Sequence, residues 1–349
     1  MDTLLFYMLV VVVSTALVWK GSALLESSSE QLALYYRLPD IVTGAVVVAV
    51  GSSFPELATV VLSTVLHGQF ELGVSAIVGS AIFNILVIPG LSGVLTGEQQ
   101  LKANRDLVYK EAQFYMLAVA VVIVTFAFAA IYHPVPDTTG SGAILGELDR
   151  WLVLIPLVMY GLYLFVQWQD TMDYDAEPPT QNIRPGKQWL LLLLSLGLIF
   201  VAVEGLVRSA IVLGDVLGTP TYLWGVTVVA MGTSIPDAFV SIRAARRGKA
   251  VTSLANVFGS NVFDLLICIP VGVLIAGTAV INFSVATPMM AVLTLATLVL
   301  FLFMRTNMAL SRREAWALLG LYVVFLVWIS LESVGTLDTI PSLPPPENV

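Results

Sequence analysis

The chain has 349 residues, of which 58% are hydrophobic and 11% charged, with a mean hydropathy of +0.90. That balance excludes a soluble globular protein and places the chain in a lipid bilayer, with no nucleic-acid partner expected. The net charge of −8 says little, because most acids fall in loops and the tail, where water solvates them.

At about 20 apolar residues per crossing, the sequence predicts ten spans. They cover residues 3–25, 41–66, 72–96, 107–132 and 149–168, then 188–213, 221–246, 250–278, 282–304 and 313–332. The first run follows Met1-Asp2 and ends in Trp19-Lys20-Gly21, without a basic leader or small-residue cleavage site, so it reads as a span. Between the fifth and sixth spans, residues 169–187 are polar and carry Asp170, Asp173, Asp175, Glu177, Pro178 and Pro179, the composition of a linker. The expected organisation is a first five-helix repeat over 1–168, a cytoplasmic linker over 169–187, a second repeat over 188–333 and a disordered tail over 334–349. Cys268 is the only cysteine, so no disulfide framework forms within the chain, and it reads as a small buried hydrophobe.

Basic residues orient the spans. Arg37, Lys102, Arg105, Lys110, Arg184, Lys187, Arg243, Arg246, Arg247, Lys249, Arg305, Arg312 and Arg313 all fall in loops on one side, which the positive-inside rule makes cytoplasmic. Both termini then face outward in a multi-pass protein of the cell membrane. Five spans per half also make the halves cross in opposite directions, as inverted repeats do.

The halves repeat residue by residue. Gly44, Ala49, Gly51, Ser53 and Pro55 match Gly225, Ala230, Gly232, Ser234 and Pro236, with Ser52 opposite Thr233 and Glu56 opposite Asp237. After one insertion or deletion, Gly79, Ser80 and Phe83 match Gly259, Ser260 and Phe263, and Asn84 stands opposite Asp264. The motifs are GSSFPE and GSAIFN in one half, GTSIPD and GSNVFD in the other. Two ordered motifs in two membrane halves are a strong signal of internal duplication.

A carboxylate at membrane depth costs about 2.5 to 3.5 kcal/mol on insertion scales, so Glu56, Asp237 and Asp264 need a reason to be there. No basic residue lies within helical reach of Glu56, and Arg243 is off the face of Asp237, which leaves a bound cation as the natural partner. Pro55 and Pro236 each lack an N–H, so they should free the carbonyls of Gly51 and Gly232 and break their helices. Ser52 and Ser53 precede Glu56 by four and three residues, as Thr233 and Ser234 precede Asp237, placing two hydroxyls on the face of each acid. Ser80 with Asn84, and Ser260 with Asp264, are likewise four apart. Oxygens and an amide without thiolate or imidazole make a hard site suited to calcium or sodium, and they disfavour zinc and copper. His67 and His133 fall in or beside external loops and are expected to be solvated, while Glu204 and Arg208 are spaced as an ion pair within the sixth span.

These motifs resemble the calcium/cation antiporter superfamily, in particular its sodium/calcium exchangers, over nearly the whole chain. The resemblance implies an all-α integral membrane fold of ten transmembrane helices, arranged as two inverted five-helix repeats with broken second, third, seventh and eighth helices at the core. It also implies sodium-driven calcium transport, not catalysis, by alternating access. The family's acidic ligands fall on Glu56 and Asp237. Hydroxyl and amide ligands fall on Ser52, Ser53, Ser80, Asn84, Thr233, Ser234 and Ser260, an acid on Asp264, and carbonyl ligands on Ala49 and Ala230. No cofactor is implied. Calcium and sodium are the transported ions, potassium and protons further candidates, and the lipid bilayer the only other partner, with no obligate protein partner evident. GTSIPD and GSNVFD also resemble the second repeat of potassium-dependent sodium/calcium exchangers, whereas the glycine-asparagine-glutamate pattern of proton-coupled calcium exchangers is missing from the first repeat. A proton/calcium antiporter, a passive channel and, remotely, an intramembrane aspartyl hydrolase are the competing functions; the last also needs two acids in apolar helices.

Overall fold

In a solvent that offers no hydrogen bonds the backbone must satisfy itself, and an apolar run does so by becoming a helix. The computed structural model describes residues 2–36, 49–96, 101–105, 107–137, 142–169, 183–340 and 343. In chain order the helices are α1 (Asp2–Tyr35), α2 (Ala49–Ser52), α3 (Phe54–Val65), α4 (Phe70–Leu95), α5 (Ala112–Tyr132), α6 (Leu154–Gln169) and α7 (Pro185–Leu217). There follow α8 (Thr221–Trp224), α9 (Ala230–Arg246), α10 (Ala250–Phe263), α11 (Ile269–Ala276), α12 (Phe283–Arg305) and α13 (Arg312–Ser333). Three π-helical turns, Leu107–Glu111, Gly225–Val229 and Asp264–Cys268, lead into α5 and join α8 to α9 and α10 to α11.

Eight segments among the described residues are long and apolar enough to cross a bilayer, and they coincide with eight of the ten expected spans. Phe54–Val65 and Leu154–Gln169 are apolar but shorter, and lie where the second and fifth spans were expected. Most of the first half of that second span lies outside the described residues. The first and sixth helices outrun their predicted spans. At about 1.5 Å per residue, the 34 residues of α1 and 33 of α7 exceed a hydrocarbon core of about 30 Å, so they tilt or project.

These two long helices pack against each other antiparallel. Gly21 lies against Ile199, and Gly205 against Ser14, so α1 rises as α7 descends. Val18 and Leu25 meet Ile199, Val203 and Leu206 in a cluster that touches the rest of the protein through Ala58, Leu72, Ala76 and Val229. A separate, larger cluster gathers the remaining helices around α4, whose apolar window is wholly buried. The packing therefore divides into a pair and a core.

Among the described residues, five short strands interrupt the expected all-helical layout, all of them between helices. Strands β1 (Leu101–Lys102) and β5 (Ala309–Leu310) pair antiparallel, Leu101 opposite Leu310, and tie the segment after α4 to that before α13. On the other face, β2 (Pro134–Val135), β3 (Leu145–Asp149) and β4 (Thr278–Asn282) form an antiparallel sheet. Its register runs from Leu145 opposite Asn282 to Asp149 opposite Thr278, and it buries Leu148, Ala279 and Ile281.

Residues 170–182 of the expected linker and half of the expected tail (341, 342 and 344–349) lie outside the described residues. Part of the tail is placed: Ile340 and Leu343 are buried, and the fully buried Glu332 accepts from the Thr339 N–H at 2.6 Å and the Thr339 hydroxyl at 2.8 Å.

Candidate functional site

The two repeats interrupt the membrane differently. In the first, α2 ends at Ser52 and α3 begins at Phe54, with Pro55 in its first turn, where a missing N–H is harmless. In the second, α9 runs unbroken through Pro236, and the irregularity moves upstream into the π-turn Gly225–Val229. The third helix, α4, is continuous through Pro89, while the eighth is eased by the π-turn that starts at Asp264. Widened π-turns absorb a proline or an extra residue without severing the helix. The expected breaks thus become one true interruption and two π-turns.

Glycine brings the halves together. Gly79 of α4 packs on the Val226 carbonyl and the Ala230 Cβ, and Gly225 packs on the Leu72 carbonyl and the Ser75 hydroxyl, so backbones touch where a side chain would hold them apart. Ser80 and Ser234, adjacent to that crossing, meet at 2.7 Å.

Around the crossing the expected polar residues form a knot with near two-fold symmetry. Ser80 donates to Glu56 Oε1 at 3.3 Å, and Ser260 donates to Asp237 Oδ1 at 3.1 Å, each serine serving the acid of its own half. Hydroxyls also cross over: Ser52 faces Asp237 and contacts Ser260 at 3.4 Å, while Thr233 faces Glu56 and donates to the Ala230 carbonyl at 3.3 Å. Asn84 breaks the symmetry by donating to Asp237 Oδ2 at 3.2 Å. Its counterpart Asp264 can give no such bond to Glu56, and faces Ser53 instead. All these side chains are at most 1% exposed. Ala49 ends up in α2, at the head of the same turn.

Several oxygens stay without partners: Glu56 Oε2, Asp264 Oδ2, Asn84 Oδ1 and the Ser53 hydroxyl. No salt bridge among the described residues reaches Glu56, Asp237 or Asp264. Buried acceptors left this way cost several kcal/mol unless something positive completes them. Among the described residues no three His, Cys, Asp or Glu side chains gather tightly enough to chelate one ion by themselves. A cation here would draw on hydroxyls, amide and backbone as well as carboxylates, a mixed oxygen set of the kind hard cations accept.

The sequence of this chain matches the family described as "Sodium/calcium exchanger protein" over residues 6–169 and 187–331. The chain belongs to that family. The sodium/calcium exchanger MaX1 of Methanosarcina acetivorans is 25% identical over 88% of this chain and 94% of its own length. The solved sodium-calcium exchanger NCX_Mj, soaked with zero Na+ and Ca2+, superposes with a TM-score of 0.60 at 25% identity, covering 94% of this chain and 99% of that one. An H+/Ca2+ exchanger, CAX, reaches a TM-score of 0.71 at 15% identity over 92% of this chain and 82% of its own, which shows a shared fold. The family is one of multi-pass transporters built from inverted repeats, not of enzymes, and its members exchange cations.

Three features of the site escaped the sequence reading. Asn261 accepts from Asn84 Nδ2 at 3.0 Å and donates to the Ala81 carbonyl at 3.3 Å, bridging the halves. An amide directly after Gly259-Ser260, where the first half has Ala81, was the available signal. Asn256 donates to Ser241 on the turn below Asp237. Cys268 is buried as expected, yet its sulfur lies 3.9 Å from Asp264 Oδ1. Glu204 corrects the expected pairing. It accepts from His67 Nε2 at 3.1 Å through both carboxylate oxygens, and Arg208 turns outward, exposed. His67 is accordingly half-buried, not solvated, because the loop after α3 folds back on α7.

Proposed function

We propose that this chain exchanges sodium for calcium across the cell membrane by alternating access, with both ions held at Glu56 and Asp237. The observation that carries the reading is a pair of buried acids, one from each repeat, in a shell of hydroxyls and amide with acceptors to spare and, among the described residues, no salt bridge to a basic side chain. Calcium takes about six to eight oxygens at flexible geometry, and sodium accepts the same kind. We assign Ser52, Ser53, Ser80, Asn84, Thr233, Ser234, Ser260 and Asp264 to that shell, with the carbonyls of Ala49 and Ala230. The sodium/calcium exchange named for MaX1 and NCX_Mj supports this ion pair.

The division of the packing suggests the moving part. The α1–α7 pair slides against the core across a mainly apolar interface that includes Ala58, Leu72 and Val229 and the Trp19–Phe239 stack, exposing the crossing to one side and then the other. Without cations the acids repel one another and resist being sealed from water, which couples movement to a filled site. We keep the outward termini, the cytoplasmic linker and the repeat boundaries at 168 and 188 as parts of the same proposal.

A potassium requirement is the second reading, carried by Asp264: it is fully buried, lies within electrostatic range of Glu56, and keeps one oxygen unpartnered. Calcium-45 uptake by purified protein in sodium-loaded liposomes, diluted into sodium-free buffer, tests both. Uptake that needs internal sodium supports the exchanger, and its dependence on potassium decides the second reading. Uptake driven by a pH gradient without sodium would replace both with proton coupling.

A further inference from the structure

The carboxylate Glu26 on α1 belongs to neither sequence motif, and no function described so far uses it. Its backbone packs on Gly51, the first residue of GSSFPE, with Leu25 beside it. Three pairings place it along the membrane normal. Thr15 lies at Gly232, Trp19 stacks on Phe239 at 4.3 Å, and Glu26 is within electrostatic range of both Asp237 and Arg243. So α1 runs alongside α9 in the same direction, and Glu26 stands about two turns beyond the level of Asp237, towards the face that carries Arg243, Arg246 and Arg247.

Two neighbours on its own helix extend it. Ser22 is one turn closer to Asp237 and Glu30 one turn further away, so the three share the face that meets the Gly51 turn. Exposure rises along that face: Ser22 is 1% exposed, Glu26 half-buried and Glu30 open. The Ser22 hydroxyl is buried on this face without a hydrogen-bond partner, and no salt bridge among the described residues reaches Glu26. Interhelical packing alone would favour a serine that donates to its own preceding carbonyl, as Ser195 and Ser209 do on α7.

We propose that Ser22 and Glu26, with Glu30 at the mouth, form a second cation station on the arginine-rich side of the Glu56/Asp237 site, where calcium or sodium lodges on its way in or out. The inference rests on the exchanger reading. Because the station lies on α1, it moves with the α1–α7 pair and is offered to the core site only when that pair opens to this side.

The test is one of sidedness. Calcium exchange is measured in right-side-out and inside-out vesicles, varying calcium or sodium on one face at a time, for wild type, Glu26→Gln, Glu26→Asp and Ser22→Ala. Loss of one unit charge at about 4 Å through a water-like dielectric raises the half-saturating calcium on the arginine-rich face about thirtyfold and sodium about fivefold. The opposite face keeps its wild-type values, and Glu26→Asp recovers most of the loss. Equal changes on both faces, or none in Glu26→Gln, overturn the station. Absence of sodium-dependent exchange in the wild type would instead refute the exchanger reading itself. A Glu26→Gln that does not fold leaves Ser22→Ala, which keeps the charge and is expected to shift calcium on the same face about threefold; no shift there overturns the proposal.

Discussion

Replacing Gly79 with alanine tests how the two repeats are held together. A Cβ at that position would sit 2.8 Å from the Ala230 Cβ and closer still to the Val226 carbonyl oxygen. Neither neighbour is the free end of a flexible side chain, so the helices themselves must separate. Adding a methyl to a filled core costs about 1 to 3 kcal/mol, and a backbone contact puts this case at the upper end. The separation acts on the hydroxyls next door. Ser80 meets Ser234 at 2.7 Å and Glu56 at 3.3 Å, and a displacement of about 1 Å takes both beyond hydrogen-bonding range. If the crossing sets the ligand geometry, calcium affinity falls about tenfold or more, since about 1.4 kcal/mol is a factor of ten. Thermal unfolding of the purified protein and half-saturating calcium in exchange are the two readouts. Gly161→Ala is the control, because nothing lies within 4 Å of a Cβ there, and a helical glycine gains about 0.5 to 1 kcal/mol on that change. Wild-type stability and calcium affinity in Gly79→Ala would refute the reasoning.

Other substitutions separate the site from its supports. Asp264→Asn removes the third buried acid, and on the potassium reading the rate loses its potassium dependence while sodium-driven calcium uptake persists; unchanged potassium dependence would dismiss that reading. Glu332→Ala strands the N–H groups of Thr339 and Ile340 and should cost about 2 to 3 kcal/mol in a denaturation assay, with half-saturating calcium unaltered. His67→Ala removes a half-buried link between the loop after α3 and α7, so unfolding stability should fall by no more than about 1 kcal/mol. A loss of several kcal/mol would mean the pair does more than bridge the two elements.

Much of the fold is visible in the chain because lipid allows so few solutions. Apolar runs must be helices, and eight of the ten expected spans recur within a few residues at most of their ends. The far ends of α1 and α7 were underestimated because hydropathy stops at the bilayer edge, whereas the helical hydrogen-bond ladder continues through Ser27–Glu30 and Asp215–Leu217. Duplicated motifs brought Glu56, Ser80, Asp237 and Ser260 to one place, since inverted repeats fold their matching elements around a common axis. What the duplication could not show is where the halves differ. Pro55 and Pro236 align, yet one sits at a helix start and the other inside a continuous helix. Asn261 stands where its counterpart is Ala81, and so carried no repeat signal. The His67–Glu204 contact joins residues 137 apart, and within one helix Arg208 looked the better partner. The β-strands lie in segments of two to five residues between helices, too short for alternation to register.

The central claim is that Glu56 and Asp237 hold the exchanged ions together. The most direct test is calcium-45 uptake into sodium-loaded liposomes by wild type, Glu56→Gln and Asp237→Asn, each shown to be folded by its thermal unfolding transition. The account predicts uptake that requires internal sodium in the wild type and none above protein-free liposomes in either variant. Wild-type uptake in a folded Glu56→Gln or Asp237→Asn protein would contradict it.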